Sequence, residues 1–365
     1  MAETIIIKKS LLPFSWIYGL AVWIRNKLFD WKILSAAEFP VPIISVGNIA
    51  VGGTGKTPHI EYLIDLLKSS YKVAVLSRGY KRKTSGFVLA GANASFQTVG
   101  DEPYQLYRKF PDILVAVDAK RKRGIKKLLA LPAETRPNVI LLDDAFQHRY
   151  VMPSLSIVLM SSYRMIYDDK LLPAGRLREP SVNISRAQIV IVTKCPSDYK
   201  PFDFRIIAKN LHLFPYQSLF YTSFEYGLLH PVFPNNTETM PLPALSTRTA
   251  LVIAGIANPE DFAEKINEYA LETKCIRYRD HHSFTNENYE HIASFYKTMP
   301  AGNTFIIMTE KDAVRIEDHP ALDEEMKSRM FYLPIEVVFH LEQQSLFNKK
   351  IENHVRNLTR NRIMA

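Results

Sequence analysis

The stretch "SVGNIAVGGTGKTPHIEYL", residues 45–63, passes from an apolar, strand-like run through three glycines and a lysine into a run with helical spacing. Glycines let a backbone curl until several N–H groups point inward at phosphate oxygens, and the helix that follows presents its positive end to the same place. Here Gly52, Gly53 and Gly55 permit the curl, and Ala50, Val51 and Thr54 complete the loop. Lys56 is placed to reach β and γ phosphates, and the Thr57 hydroxyl to ligate magnesium. The strict pattern has a glycine where Ala50 stands, but the flanking context is right. Upstream, "VPIISV" (41–46) is short, apolar and rich in β-branched residues, as a buried parallel strand is. Downstream, Pro58 falls in the first helical turn, and Ile60, Leu63, Ile64 and Leu67 share one helix face.

Beyond this unit, apolar segments recur at the rhythm of a parallel α/β sheet: "KVAVLS" (72–77), "DILVAV" (112–117), "NVILLDD" (138–144), "LSIVLM" (155–160) and "QIVIVT" (188–193). The alternation predicts an α/β fold, a doubly wound and mostly parallel sheet of the P-loop NTPase type, with its site at the carboxyl ends of the strands. Residues 222–248 turn rich in Pro, Asn and Thr and read as a connection. A second, smaller α/β domain follows, with "ALVIAGI" (250–256), a helix from Pro259 to Tyr269, "TFIIMT" (304–309) and a polar C-terminal helix. The expected domains are therefore 1–221 and 222–365, joined by a hinge at about 222–248.

The chain has 365 residues, enough for two domains with cores of their own. Two cysteines, Cys195 and Cys275, exclude a disulfide framework or a cysteine-rich metal site and suit a reducing cytosol. The formal charge of +9 is concentrated in "RGYKRK" (78–83), "KRKRGIKK" (120–127) and Lys8, Lys9, Arg25 and Lys27, which favours anionic partners. Nucleic acid, phospholipid headgroups and a phosphorylated substrate are all anionic. "KRKRGIKK" also reads as a solvated helix face. The N-terminus narrows the choice towards lipid and away from nucleic acid. "LLPFSWIYGLAVWI" (11–24) is apolar and aromatic between cationic ends, yet shorter than the about twenty residues a membrane-spanning helix needs. It lacks the cleavage site of a signal peptide. It suits either insertion into one leaflet's interface or packing as a core helix.

Candidate site residues follow the strands. Asp143 and Asp144 end an apolar run, where a second magnesium ligand belongs. In "VGDEPYQLYRK" (99–109), Asp101 and Glu102 precede a helix start, so Asp101 reads as a helix cap or as a catalytic carboxylate. "LLPAGRLREP" (171–180) carries Arg178, which suits either a contact with the γ-phosphoryl group or a surface ion pair, and Glu179. In "YRDHHSFT" (278–285), His281 and His282 are adjacent, a poor spacing for joint metal binding. "IVIVTKCPSD" places Thr193 and Lys194 where GTPases read guanine, but Pro196 stands in place of the required Asp, so GTP selectivity is not expected.

With these segments in order, the chain resembles the tetraacyldisaccharide 4'-kinase family of lipid A biosynthesis. The resemblance rests on "NKLFD", "VPIISVGNIAVGGTGKT", "LSRGYKRK", "GDEPY", "LLDDAFQHR", "LPAGRLREP", "DHHSFT" and "TEKDAVR", which together span nearly the whole chain. It implies phosphoryl transfer from ATP, with Mg2+, to the 4'-hydroxyl of a lipid A disaccharide 1-phosphate by a protein held peripherally at the cytoplasmic face of the inner membrane. By the same resemblance Asp101 is the catalytic aspartate and His281 its proton-handling partner. Asp143, Asp144 and Glu179 surround magnesium, Arg178 lies near the phosphates, and the strands joining the domains act as a hinge. Two departures are "DDAF" in place of "DDGF" and His282 at a variable position. The residues alone equally permit a P-loop kinase or ligase of another acceptor, or a membrane-bound nucleotide switch.

Overall fold

The structure is a computed structural model that describes residues 7–234, 236–256, 259–280 and 282–363. In chain order the strands of the first sheet are β1 (Ile43–Asn48), β2 (Val73–Ser77), β3 (Val88–Leu89), β4 (Leu114–Val117), β5 (Val139–Asp143), β6 (Leu155–Ser161), β7 (Ile189–Thr193) and β8 (Ser218–Tyr226). Those of the second are β9 (His230–Pro231), β10 (Thr249–Ala254), β11 (Glu272–Arg277), β12 (Thr304–Thr309) and β13 (Met330–Leu333). A last strand, β14 (Ile335–Phe339), returns to the first sheet beside β8.

The first sheet runs β14-β8-β7-β6-β1-β5-β2-β4-β3. The strands from β4 to β8 pair in parallel, and β3 pairs antiparallel with β4 at the edge. Both faces are covered, which is why these strands are apolar throughout instead of alternating. Ile44, Val46, Val75 and Leu141 face one core with Ile60, Leu63, Ile64 and Leu67 of the helix Lys56–Leu67. Ile43, Ala74, Leu76, Ile140 and Leu142 face another on the opposite side, as a period of two requires. The central strand β1 lies between β5 and β6, so its carboxyl end opens where the strand order reverses.

The chain forms two compact units, Met1–Phe224 with Val337–Ala365, and Glu225–Glu336. This differs from a second domain running to residue 365. The C-terminal helix (Gln344–Ile363) carries Phe347, Ile351 and Val355 at four-residue spacing, and all three are buried in the core that holds Ile60 and Leu63. Its otherwise polar sequence conceals that stripe. Residues 222–248 are also more than a connection, because Leu229, Leu242 and Leu245 are buried in the second unit's core against Ala250 and Val252. The second sheet runs β11-β10-β12-β13-β9, parallel except for β9.

The helix Leu12–Asp30 has its polarity reversed. Ser15, Asn26 and Phe29 are buried and Tyr18 and Arg25 half-buried, whereas Phe14, Trp16, Ile17, Leu20, Trp23 and Ile24 are exposed, Trp16 to 72%. The core-helix alternative does not describe it. No helix among the described residues is long and apolar enough to cross a membrane.

Candidate active site

β1 ends at Asn48 and the loop helix begins at Lys56, so the glycine loop occupies the turn between them. Gly55 caps the helix at φ 78°, and a Cβ there would collide with the Phe224 ring. Only glycine satisfies both conditions. Gly52 also has a positive φ of 131°. Lys56 and Thr57 are the first two helical residues, where the helix's unpaired N–H groups lie.

Parallel pairing sets Val46 opposite Asp143, which brings the end of β5 level with the start of the loop. Asp144 follows in the left-handed region at φ 45°, a conformation Asp adopts more readily than most residues. The two carboxylates have opposite surroundings. Asp143 is buried, and burial together with the negative charges of Glu102 and Asp144 pushes its carboxyl up, against the pull of Lys56 and Ser77. Ser77 Oγ donates to its Oδ2 at 3.0 Å, while Oδ1 is buried with no hydrogen-bond partner. For Asp144, burial also pushes upward, but Lys56 and Arg178 outweigh it and hold the carboxyl below its ordinary range. Lys56 Nζ stands 3.6 Å from Asp144 Oδ1, and Arg178 Nη1 donates to both oxygens, at 3.0 and 3.1 Å.

A buried, unpartnered carboxylate oxygen on Asp143, next in the chain to a second carboxylate, offers hard-oxygen donors of the kind that fit magnesium. The described residues contain no group of three or more His, Cys, Asp or Glu able to hold a metal. Magnesium in nucleotide sites takes one or two carboxylates and relies on phosphates and water for the rest.

Arg178 reaches the loop because its own segment is zipped to it. Arg178 N donates to Ile49 O at 2.8 Å, Val51 N donates to Arg176 O at 2.8 Å, and Ala50 bridges Leu177. The N-terminal helix braces the same segment through Tyr18, whose hydroxyl donates to Arg178 O at 2.8 Å, and Ser15, whose hydroxyl donates to Leu171 O at 3.0 Å. Glu179 belongs to a different network from the Asp pair. Its Oε2 accepts from Arg186 Nη2 at 2.6 Å, Asn183 Nδ2 at 2.7 Å and Asn26 Nδ2 at 3.4 Å, while Oε1 is buried without a hydrogen-bond partner.

Asp101 is the first residue of the helix Asp101–Lys109, and Gly100 occupies the capping position, so Asp101 is not the cap. That helix is tied to the loop helix by the buried Glu61, which accepts from Gln105 at 2.9 Å and Lys109 at 2.8 Å. His281 lies outside the described residues. Its neighbour His282 is engaged structurally, with Nε2 2.7 Å from Asn288 Oδ1 and its ring stacked 4.5 Å from that of Tyr278.

Two charged residues at the site, Glu102 and Arg121, were given no role from the sequence. Glu102 bears on Asp143, and Arg121 donates to Asp143 O at 3.1 Å and to Asp118 O at 2.7 Å. Burial pushes Arg121 down to about 10, against the pull of Asp143 and Asp144. The solvated-face reading of "KRKRGIKK" holds for Lys122, Arg123, Lys126 and Lys127, which are exposed, and is corrected for Arg121, which is buried. A signal was present in the apolar Ile125 and Leu128, which place Arg121 on the inward face at helical spacing.

The chain is similar over nearly its whole length to known proteins. A family model described as Tetraacyldisaccharide-1-P 4'-kinase matches residues 7–356. The tetraacyldisaccharide 4'-kinase of Phocaeicola vulgatus is 50% identical over 355 residues, 97% of each chain. That of Flavobacterium psychrophilum is 42% identical over 357 residues, 97% of this chain and 99% of the other. Among solved structures, an "apo" form of LpxK from Aquifex aeolicus in complex with ATP superposes with a TM-score of 0.75 at 29% identity, covering 95% of this chain and 99% of that one. The fold is that of a P-loop kinase. With the match running from the N-terminal helix into the C-terminal one and half of all aligned positions shared with a relative of the same length, the chain belongs to the tetraacyldisaccharide-1-P 4'-kinase family.

Proposed function

We propose that this protein transfers the γ-phosphoryl group of ATP to the 4'-hydroxyl of a tetraacyl disaccharide 1-phosphate, a lipid A precursor. The observation that carries the reading is the meeting of Lys56 and Arg178 on Asp144 at the end of the glycine loop. Two cations held by one carboxylate are ready to exchange it for phosphate oxygens. Loop amides between Ala50 and Thr57 and the positive helix end receive the triphosphate. Lys56 and Arg178 then stabilise charge on the equatorial oxygens of the group in flight.

Thr57, Asp143 and Asp144 would hold magnesium, and Glu179, in its own network, is the further magnesium carboxylate that the family resemblance assigns. When bound, the ion would supply positive charge that offsets the charge developing on the phosphoryl oxygens. A sugar hydroxyl is a poor nucleophile until its proton is accepted, and Asp101 is the proposed acceptor, a role worth roughly 10²- to 10⁴-fold. His281 is the second proton-handling group that the family resemblance assigns.

The exposed apolar face of the N-terminal helix, between Lys8 and Lys9 at one end and Arg25 and Lys27 at the other, is proposed to lie in the bilayer interface at the cytoplasmic face of the inner membrane. The acceptor is a lipid, so catalysis there requires no extraction into water.

Incubation with ATP, magnesium and purified disaccharide 1-phosphate tests the reading. The expected product carries one additional phosphate, at the 4' position. Slow ATP hydrolysis with the lipid unmodified would instead favour a nucleotide switch and overturn the kinase reading.

A further inference from the structure

A loop that turns its N–H groups inward on phosphate turns carbonyls outward, and those carbonyls need donors of their own. Side chains from three elements supply them. Asn48 Nδ2, at the end of β1, lies 3.4 Å from Gly52 O and 3.2 Å from Thr54 Oγ1. Thr193 Oγ1, at the end of β7, donates to Thr54 O at 3.0 Å, with Met160 O close by at 3.2 Å. His59 Nδ1, one turn into the loop helix, lies 2.8 Å from Gly55 O.

The tautomer of His59 follows from its partners. A carbonyl only accepts, so Nδ1 carries the proton, and Nε2 is left to accept from Thr222 Oγ1 on β8 at 3.2 Å. The imidazole is fully buried, and that burial pushes its pKa down to about 4, leaving it a neutral donor under ordinary conditions. Thr193 and Thr222 are both wholly buried, so these bonds face little competition from water. Thr193 is also the residue that the sequence set where GTPases read a base. Its hydroxyl points instead at the phosphate loop.

We propose that Thr193 and His59 are positioning residues for ATP: by holding the outward carbonyls of Thr54 and Gly55 they fix the curl that aims the loop's amides at the triphosphate. The inference rests on the reading of this loop as the ATP site. Neither side chain touches the reacting atoms. Each acts through the backbone of the loop, so its loss is felt as weaker ATP binding and not as a changed response to the lipid acceptor.

The test compares full-length wild type with Thr193→Val, which keeps the shape and removes the hydroxyl, Thr193→Ser, which restores it, and His59→Phe. Gly55 O also accepts from His59 N at 3.3 Å, so His59→Phe does not orphan that carbonyl and provides a second variant if Thr193→Val fails to fold. The expected result is a KM for ATP raised roughly five- to tenfold in Thr193→Val and His59→Phe, the loss of about one hydrogen bond, with KM for the lipid unchanged. Thr193→Ser is expected near wild type. Folded Val and Phe variants with wild-type KM for ATP would overturn the proposal, as would a Ser variant as impaired as Val. Lys56→Ala is measured alongside: if it loses ATP affinity while the positioning variants do not, the positioning roles fail alone. If Lys56→Ala also keeps wild-type affinity, the loop is not the ATP site and the proposal falls with that reading.

Discussion

Asp144 concentrates the charges of the site on one side chain, holding Lys56 at 3.6 Å and Arg178 at 3.0 Å from a backbone in the left-handed region. Lys56→Ala is expected to lower kcat/KM for ATP by about 10²- to 10³-fold, the usual scale for a preorganised charge on a transferring group. Steady-state kinetics with ATP varied will show it, and unchanged kinetics would remove the loop from the chemistry. Asp101→Asn is expected to lower kcat by roughly 10²- to 10⁴-fold while KM for ATP stays close to wild type. Lost ATP affinity with normal turnover would make Asp101 a structural residue of its helix. The places of Lys56 and Thr57 at the helix start and of the Asp pair at the end of β5 were legible because loop spacing and strand ends are local in sequence. Glu102 and Arg121 were less so, because they reach Asp143 only through the sheet order that sets β5 between β1 and β2.

At the scale of elements, the buried His59 makes the loop helix sensitive to acid. Its pKa is about 4 in the folded protein and about 6.5 unfolded, so between those values the unfolded chain binds the extra proton. Stability contributed by the neutral ring is complete above about pH 6.5 and is lost as pH falls towards 4, up to roughly 3 kcal/mol. His148, also lowered to about 4 by burial and by neighbouring arginines, acts in the same direction. Thermal unfolding at pH 7 and pH 5 is expected to show a smaller difference in His59→Phe than in wild type, and an equal difference would contradict the buried neutral ring. In the N-terminal helix, Trp16→Ser with Trp23→Ser removes exposed apolar surface. The double variant is expected to keep its thermal midpoint and to lose much of its association with anionic liposomes in a flotation assay. Undiminished flotation would exclude this helix as the lipid-facing element. The strands of the sheet interior were readable from their uninterrupted apolar runs, whereas the two-residue edge strands β3 and β9 carry no such run. The helix's length and apolar content were plain in the sequence, but its orientation was not, since it takes the distant partners of Ser15, Tyr18 and Asn26, at Leu171, Arg178 and Glu179, to show that the polar face turns inward.

Across the whole molecule, the chain leaves the first unit within β8, builds the second, and re-enters the first within β14. The C-terminal helix then closes the core beneath the loop helix, with Tyr62 donating to Asn348 at 2.7 Å and Phe347 packed against Phe220 and Phe339. Phe347→Ala is expected to cost about 3–5 kcal/mol, as large-to-small changes in a buried core do. Calorimetry should show the loss; a midpoint within a degree or two of wild type would mean the helix is dispensable to the first unit. The two-unit plan was visible in the change of texture after residue 222, but the return of the chain was not, because three buried residues in a charged helix are a weak periodic signal. The central claim is that the glycine loop after β1 grips the triphosphate of ATP. A crystal structure with a nonhydrolysable ATP analogue tests it most directly. The account predicts phosphate density against the amides of Gly52 to Thr57, with Lys56 turned from Asp144 to the β and γ oxygens. Well-defined nucleotide bound away from this loop, with Lys56 still on Asp144, would contradict it.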